Sequence, residues 1–309
     1  MSNIESVLDL LKFAPRQKYA FYEFFQLAAT FFKDFSFKKA AASVMLMCEL
    51  LGSMIFDTPV TPHGPELDLT GYELVFCDEF EGDTLNTDVW KHRGEGARRG
   101  GFNASTQAKV SNGELNLVAE YLENGKYGEG WYSGMISLKE HYKQGYYEIR
   151  CKCSPGEGFW SAFWIQADSP YDHYISQGGV GGAELDIFEA MSYSAKLKDN
   201  RFAITSTVHC NGGDDDIENI DSCCVGEFKV GNDIYNEYNT YGLEWTEDEY
   251  IFYINGIESR RTSFENGVSQ VPEEVIVSLE IPDNINNPKD FTTCMTVDYV
   301  KIYQKPAQQ

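Results

Sequence analysis

The run Glu184-Leu185-Asp186-Ile187-Phe188-Glu189 places three carboxylates among apolar residues, directly after the glycine-rich Gly178, Gly179, Gly181 and Gly182. It has the texture of a strand, and a strand core is a costly place for charge, so three acids there need a reason. Parity sharpens the problem. Side chains alternate faces along a strand, so Glu184 and Asp186 share one face and Glu189 points to the other. One extra residue, a β-bulge near Ile187 or Phe188, returns Glu189 to their face. Four effective steps then separate the two glutamate Cα atoms by about 13 Å. Side chains leaning inward bring the carboxylates to ~5–6 Å, a spacing at which one can attack while the other shuttles a proton. A buried acidic cluster or a metal site is the alternative use of such a trio.

The rest of the chain frames this strand. From about residue 70 the sequence becomes short alternating runs separated by turns: Tyr72–Phe76, Glu114–Ala119, Tyr146–Cys153, Ala203–His209, Tyr241–Trp245, Tyr250–Ile254 and Met295–Tyr303. Asn255-Gly256 reads as a two-residue hairpin turn, and Ser111-Asn112-Gly113-Glu114 as another turn. Many short strands without helical periods between them predict an all-β antiparallel sandwich. The loop 211–221, with Asp214, Asp215 and Asp216 in a row, reads as solvated rather than metal-binding.

The first 60 residues differ. Phe21, Phe24, Phe25, Ala28, Phe31 and Phe32 recur at helical spacing, and Asp34 and Ser36 offer caps between two helices. The stripe predicts helices packed on each other or on the main domain, with oligomerisation through them as a further role. Residues 1–60 hold six Lys/Arg and six Asp/Glu, so the whole net charge of −23 lies beyond them. This break predicts a helical segment at 1–60, a proline-rich linker at 61–69 and the main domain at 70–306. So acidic a surface argues against nucleic acid and anionic membranes as partners and suits a neutral substrate.

The eight cysteines form no zinc-like CxxC pair, and Cys151 and Cys153 read as small buried hydrophobes. Free thiols and the lack of an ordinary signal peptide predict a cytoplasmic protein. The alternative is export or anchoring through residues 40–56, which hold a single charge, Glu49, and are short for a span.

The motifs resemble one family. Glu184–Glu189 is similar to the bulged active-site signature E-x-D-x-x-E of glycoside hydrolase family 16. Glu79, Phe80 and Gly82 resemble its opening strand, and Tyr132-Ser133-Gly134-Met135-Ile136-Ser137 its T-S-G-x-I strand. Gly158-Phe159-Trp160-Ser161-Ala162-Phe163-Trp164 is similar to its GxWPAFW run, with Ser161 in place of proline. Tyr241 to Glu258 resembles its YGxEW…DG hairpin, and Val297-Asp298-Tyr299-Val300-Lys301-Ile302-Tyr303 its closing strand. Six pieces agree in order over about residues 70–304.

The resemblance implies a concanavalin-like β-jelly-roll sandwich and a retaining endo-β-glycanase. Glu184 matches the nucleophile, Glu189 the general acid/base, and Asp186 the residue that positions the nucleophile and tunes proton sharing. Trp160 and Trp164 are candidates for stacking on sugars, with Trp131 as a further platform and His209, Asn103 and Arg99 as polar contacts. Tyr171 and His173 would shape the cleft. No cofactor is required; Asp298 matches a residue that can help hold a structural calcium. The bulge sets the chain apart from the unbulged lichenase and xyloglucan branches. It leaves β-1,3-glucan, mixed-linkage glucan and galactan open as polysaccharide or oligosaccharide substrates. A transglycosylase on the same scaffold and a non-catalytic, lectin-like binding protein are the rival readings.

Overall fold

The computed structural model describes residues 58–167, 178–191, 202–211, 220–263, 267–283 and 285–306, together with the helix Phe37–Phe56 and parts of 17–28. In chain order the strands are β1 (Glu73–Asp78), β2 (Trp90–His92), β3 (Gly96–Arg98), β4 (Gly101–Asn103), β5 (Ala108–Ser111), β6 (Glu114–Gly125), β7 (Gly128–Ser133), β8 (Met135–Leu138), β9 (Gly145–Lys152), β10 (Trp160–Gln166), β11 (Glu184–Ala190), β12 (Ala203–Asn211), β13 (Ile220–Lys229), β14 (Asn239–Trp245), β15 (Tyr250–Ile254), β16 (Ile257–Thr262), β17 (Glu274–Glu280) and β18 (Thr292–Gln304). They form two sheets. Seven strands follow the order β13-β12-β11-β10-β17-β8-β2, and eleven make the other sheet around β16-β15-β14-β9-β18-β6-β7-β4-β3.

The core lies between the sheets and follows from period-two patterning. Phe163 and Ile165 of β10, Leu185 of β11, and Val275, Val277 and Leu279 of β17 point into it from the smaller sheet. Tyr147, Ile149 and Cys151 of β9 and Tyr241, Leu243 and Trp245 of β14 meet them from the larger one. The alternate residues of β10, β11 and β17 therefore face outward on the smaller sheet, and there the polar side chains collect. Cys151 and Cys153 are buried free thiols.

Both Asn-Gly turns take the left-handed conformation at each central residue. Asn112 and Gly113 have φ of 57° and 73° between β5 and β6, and Asn255 and Gly256 have 50° and 75° between β15 and β16. This matches the right-handed twist of paired strands, which is why asparagine and glycine occupy these places.

The first segment packs through Ala20, Leu50 and Val60, with Phe24, Leu27, Leu46 and Met54 around them. Of the aromatic stripe, Phe21 and Phe25 lie 4.7 Å apart between centroids. Phe31, Phe32 and the caps expected at Asp34 and Ser36 lie outside the described residues. Val44, Leu51 and Ile55 of the helix are exposed. Among the described residues no helix is long and apolar enough to cross a membrane. Glu49 ties the helix to the sandwich through Lys229 at 3.3 Å and accepts from the Thr61 hydroxyl at 2.8 Å.

The expected linker is extended, but it is stitched to the sandwich. Val60 bridges to Phe228 of β13, and Glu66 to Ile257 of β16. Gly64 N donates to Glu258 O at 2.9 Å and Leu67 N to Gly256 O at 2.8 Å. These contacts cover one edge strand of each sheet, and an uncovered edge is a template for unwanted pairing.

Candidate active site

The parity anomaly of Glu184–Glu189 resolves as a bulge. Asp186 pairs with Thr207 of β12 and Glu189 with Thr205, so Ile187 and Phe188 together oppose Ser206. On the other side Asp186 pairs with Trp164 and Phe188 with Phe163 of β10, which makes Ile187 the extra residue. Ile187 and Phe188 both turn into the core, where Phe188 stacks on Tyr241 with centroids 4.0 Å apart. The Ser206 hydroxyl donates to the Ile187 carbonyl at 2.8 Å, supplying a partner inside the disrupted ladder. Glu184, Asp186 and Glu189 consequently line one cleft of about 510 Å³. Glu184 pairs with His209 and Glu189 with Thr205, four residues apart on β12 (209 − 205), which sets the glutamate Cα atoms about 13 Å apart.

The floor of the cleft is laid by alternation on the neighbouring strands. Trp160, Ala162, Trp164 and Gln166 face it from β10, and Ser278 and Glu280 from β17. Trp164 is buried; its indole N–H donates to the Ser278 hydroxyl at 3.1 Å, and the Arg93 guanidinium lies 5.0 Å above its ring. Trp160 is half-buried, with the Arg99 guanidinium 4.4 Å above its ring. Arg98 and Arg99 converge on the buried carboxylate of Glu280. Arg99 sits at the tip between β3 and β4 with φ of 48°. A Cβ on the neighbouring Gly100 would stand 2.3 Å from the Pro282 carbonyl, so only glycine lets the tip approach so closely.

The three acids have different surroundings. Burial pushes the Glu189 carboxyl up to about 8, helped by the charges of Asp186 and Glu184. His209 opposes this, and the Trp160 indole N–H is the weakest influence favouring the charge. Asp186 is also raised, first by burial, although His209 Nε2 lies 3.1 Å from its Oδ2 and favours its charged form. Burial works against a charged His209, but its bond to Asp186 and the nearby glutamates outweigh that and raise its pKa. Glu184 is half-buried and accepts a hydrogen bond from the Gln166 amide. Among the described residues, Glu184, Asp186 and His209 also form the group that could hold a metal, with ligand atoms within 4.8 Å of one another.

Several expected site residues lie elsewhere. Trp131 is not a cleft platform: β7 turns its ring into the core, edge-on to Phe159 with centroids 5.4 Å apart. Asn103, at the end of β4, is buried and accepts from the Ser133 hydroxyl at 3.3 Å; from the tip of the same β3–β4 hairpin, Arg98 and Arg99 reach the cleft instead. Asp298 sits where β18 shifts register and is ion-paired with Arg150, which lies 4.5 Å over the Tyr238 ring beside Lys152. Tyr171, His173 and Asp214 to Asp216 lie outside the described residues.

Sequence reading missed Arg93, Arg98, Gln166, Ser278 and Glu280. Gln166 was reachable, being the next cleft-face position after Trp160, Ala162 and Trp164. The run Glu274-Val275-Ile276-Val277-Ser278-Leu279-Glu280 carries the same alternation and would have given the strand that bears Ser278 and Glu280.

Residues 74–305 match the family model described as the β-porphyranase A-D domain of glycoside hydrolase family 16. The chain belongs to glycoside hydrolase family 16. It is 26% identical over 285 residues to glucan endo-1,3-β-glucosidase A1 of Niallia circulans, covering 79% of this chain and 39% of that protein. The β-glucanase of Rhodothermus marinus is 23% identical over 287 residues, 85% of this chain and 92% of that protein. A keratan-sulfate endo-1,4-β-galactosidase of Sphingobacterium multivorum is 25% identical, covering 77% of this chain and 56% of that protein. The chain spans 39% and 40% of the length of the first two curated relatives it matches. Among solved structures, the family 16 endo-β-1,3(4)-glucanase SCLam superposes with a TM-score of 0.64 at 21% identity, over 81% of this chain and 97% of that one. Porphyranase B of Zobellia galactanivorans gives 0.60 at 19% identity, over 80% and 98%. These likenesses agree with the jelly-roll sandwich expected of the family.

Proposed function

We propose that the protein is a retaining endo-β-glycanase that cleaves a neutral glucan- or galactan-type polysaccharide by double displacement. The observation that carries this is the bulge, which brings Glu184 and Glu189 into one cleft in opposite chemical surroundings. Glu184 accepts an amide N–H and is suited to remain a carboxylate. Glu189, desolvated and beside other acids, holds its proton at neutral pH. In the first step Glu184 attacks the anomeric carbon while Glu189 gives its proton to the departing glycosidic oxygen. In the second, Glu189 takes a proton from water as that water displaces Glu184 from the sugar. Asp186 contributes negative charge that keeps Glu189 protonated, and His209 orients Asp186 from the adjacent strand. Trp160 and Trp164 supply the apolar floor under the sugar rings.

The substrate class draws support from the names of the relatives, which include a glucan endo-1,3-β-glucosidase, endo-1,3-1,4-β-glycanases and a keratan-sulfate endo-1,4-β-galactosidase. Two structures of SCLam carry glucan oligosaccharides at the active site. A product-resolved screen on laminarin, mixed-linkage β-glucan and agarose tests the reading. Cleavage of one of them to oligosaccharides, with the new reducing ends born as β-anomers by proton NMR, is expected. Initial α-anomers would sink double displacement. Azide should rescue Glu189→Ala by forming a β-glycosyl azide, through two displacements, and Glu184→Ala by forming an α-glycosyl azide, through one; the opposite configurations would reverse the two roles.

A further inference from the structure

Four neighbouring strands align a polar row across the cleft: His209 of β12, Glu184 of β11, Gln166 of β10 and Glu274 of β17. The Gln166 Nε2 amide donates to Glu184 Oε2. Its Oε1 accepts from Arg93 Nη2 at 2.6 Å. Arg93 is itself held on every side. Its Nε donates to Glu274 Oε2 at 2.9 Å, its Nη1 approaches the Met135 sulfur at 3.7 Å, and its plane lies over Trp164. Its backbone N–H donates to the Met135 carbonyl at 3.0 Å, which anchors it beside β8. Lys91 adds a second cation to Glu274 at 2.5 Å. Burial alone would raise the Glu274 carboxyl, but Lys91, Ser137 and Arg93 together hold it below its ordinary value, so it remains an anionic anchor for Arg93.

We propose that Gln166, with its amide orientation locked by Arg93, is the positioning residue for the nucleophile Glu184. The inference rests on the reading of Glu184 as nucleophile. A glutamine amide fits a site in two orientations, and here one is excluded. Flipping it would aim the NH2 at a guanidinium, which has no acceptor, and the oxygen at a carboxylate, which when ionised has no donor. Arg93 thus guarantees that an N–H faces Glu184. A donor fixed on one carboxylate oxygen restrains rotation of the group and favours its ionised form. Both effects serve a nucleophile that must be charged and aimed before attack. Glu189, paired across the sheet with Ala162 and then Ser278, has no glutamine in the equivalent place.

Gln166→Leu tests this, because it keeps the side-chain bulk and removes both polar atoms. Kinetics are run on whichever of laminarin, mixed-linkage β-glucan or agarose the wild-type enzyme cleaves. The variant should lose roughly 10- to 100-fold in kcat, the cost of deleting a hydrogen bond to a charged group, with KM little changed. The acidic limb of the pH profile should move to higher pH while the basic limb stays. Arg93→Lys keeps the charge opposite Glu274 but not the forked donor. It should reduce kcat in the wild-type background and much less in the Gln166→Leu background. The pH dependence of carbodiimide labelling at Glu184, mapped by mass spectrometry, gives a reading that needs no substrate and should shift in the same direction. Unchanged kcat and labelling in Gln166→Leu would overturn the proposal. So would fully additive losses in the double variant, or a loss explained by a smaller folded fraction alone. Glu184→Gln is measured alongside. If it stays active, the nucleophile assignment has failed; if it is dead while Gln166→Leu is normal, only the positioning role has.

Discussion

Two rows of the same sheet hold the two glutamates, and they are built differently. The Glu184 row runs His209, Glu184, Gln166, Glu274 and is polar throughout. The Glu189 row runs Thr205, Glu189, Ala162, Ser278 and offers small side chains beside a buried carboxyl. Identical side chains on one strand therefore meet opposite conditions. An amide donor favours the charged form of Glu184, whereas burial and the charges of Asp186 and Glu184 push Glu189 towards its protonated form. The difference teaches that the two roles proposed for these glutamates would come from neighbours on β10, β12 and β17 rather than from the glutamates themselves.

The largest test of this asymmetry is to neutralise each acid in turn. Glu184→Gln should lower kcat by at least about 10⁴-fold on every substrate, because no covalent step remains. Glu189→Gln should lose about 10²–10⁴-fold on polysaccharide. It should lose far less in the first step with an aryl glycoside whose leaving group needs no proton, measured as a burst of released phenol. Equal losses with both leaving groups would show that Glu189 is not the acid.

The pH profile comes next. Activity should fall as pH rises through about 8, where Glu189 gives up its proton. Asp186→Asn removes a negative neighbour, which lowers the Glu189 pKa; it also weakens the charge on His209, which acts the other way. The Asp186 contribution is the larger, so the basic limb should move to lower pH. A basic limb that stays in place would separate Glu189 from Asp186.

Another carboxyl provides a control outside the cleft. Glu273 is fully buried and burial pushes it up to about 8, although it accepts from the Ser269 hydroxyl at 2.5 Å and from Ala183 N at 3.0 Å. Its folded pKa exceeds its unfolded value, so its contribution to stability is complete below about 4.5 and is lost as pH rises towards 8. Glu273→Gln should flatten the fall of Tm with pH over that window. If the slope is unchanged, burial at this position does not set the titration.

The smallest expected effect concerns the bulge. Ser206→Ala leaves the Ile187 carbonyl without its hydroxyl partner and should cost about 1–3 kcal/mol in chemical denaturation. A larger fall in kcat than this stability loss explains would show that the hydroxyl also sets the spacing of the glutamates.

Much of this was legible from residue order. Parity alone placed the bulge at Ile187 or Phe188, and Asn255-Gly256 announced its hairpin. The same period-two alternation runs through Gln166 and the β17 strand, which sequence reading nonetheless missed. Trp131 shows where it stopped. Its strand and its aromatic bulk were readable, but which face of the sandwich it would occupy was not, and the structure turned it into the core. Asp298 was placed on the closing strand, but Arg150, its partner across the sheet, lies 148 residues away in sequence.

By itself the sequence determined the strand, the bulge, the identity of the three acids and the family, because each depends on local periodicity or on motifs a few residues long. Tertiary structure alone decided how the acids differ. Arg93, Gln166, His209 and Glu274 reach the Glu184 row from four separate segments, and Arg98 and Arg99, held by Glu280, come in beside Trp160 from one more. Desolvation and charge act through space, over distances that folding sets and chain order does not.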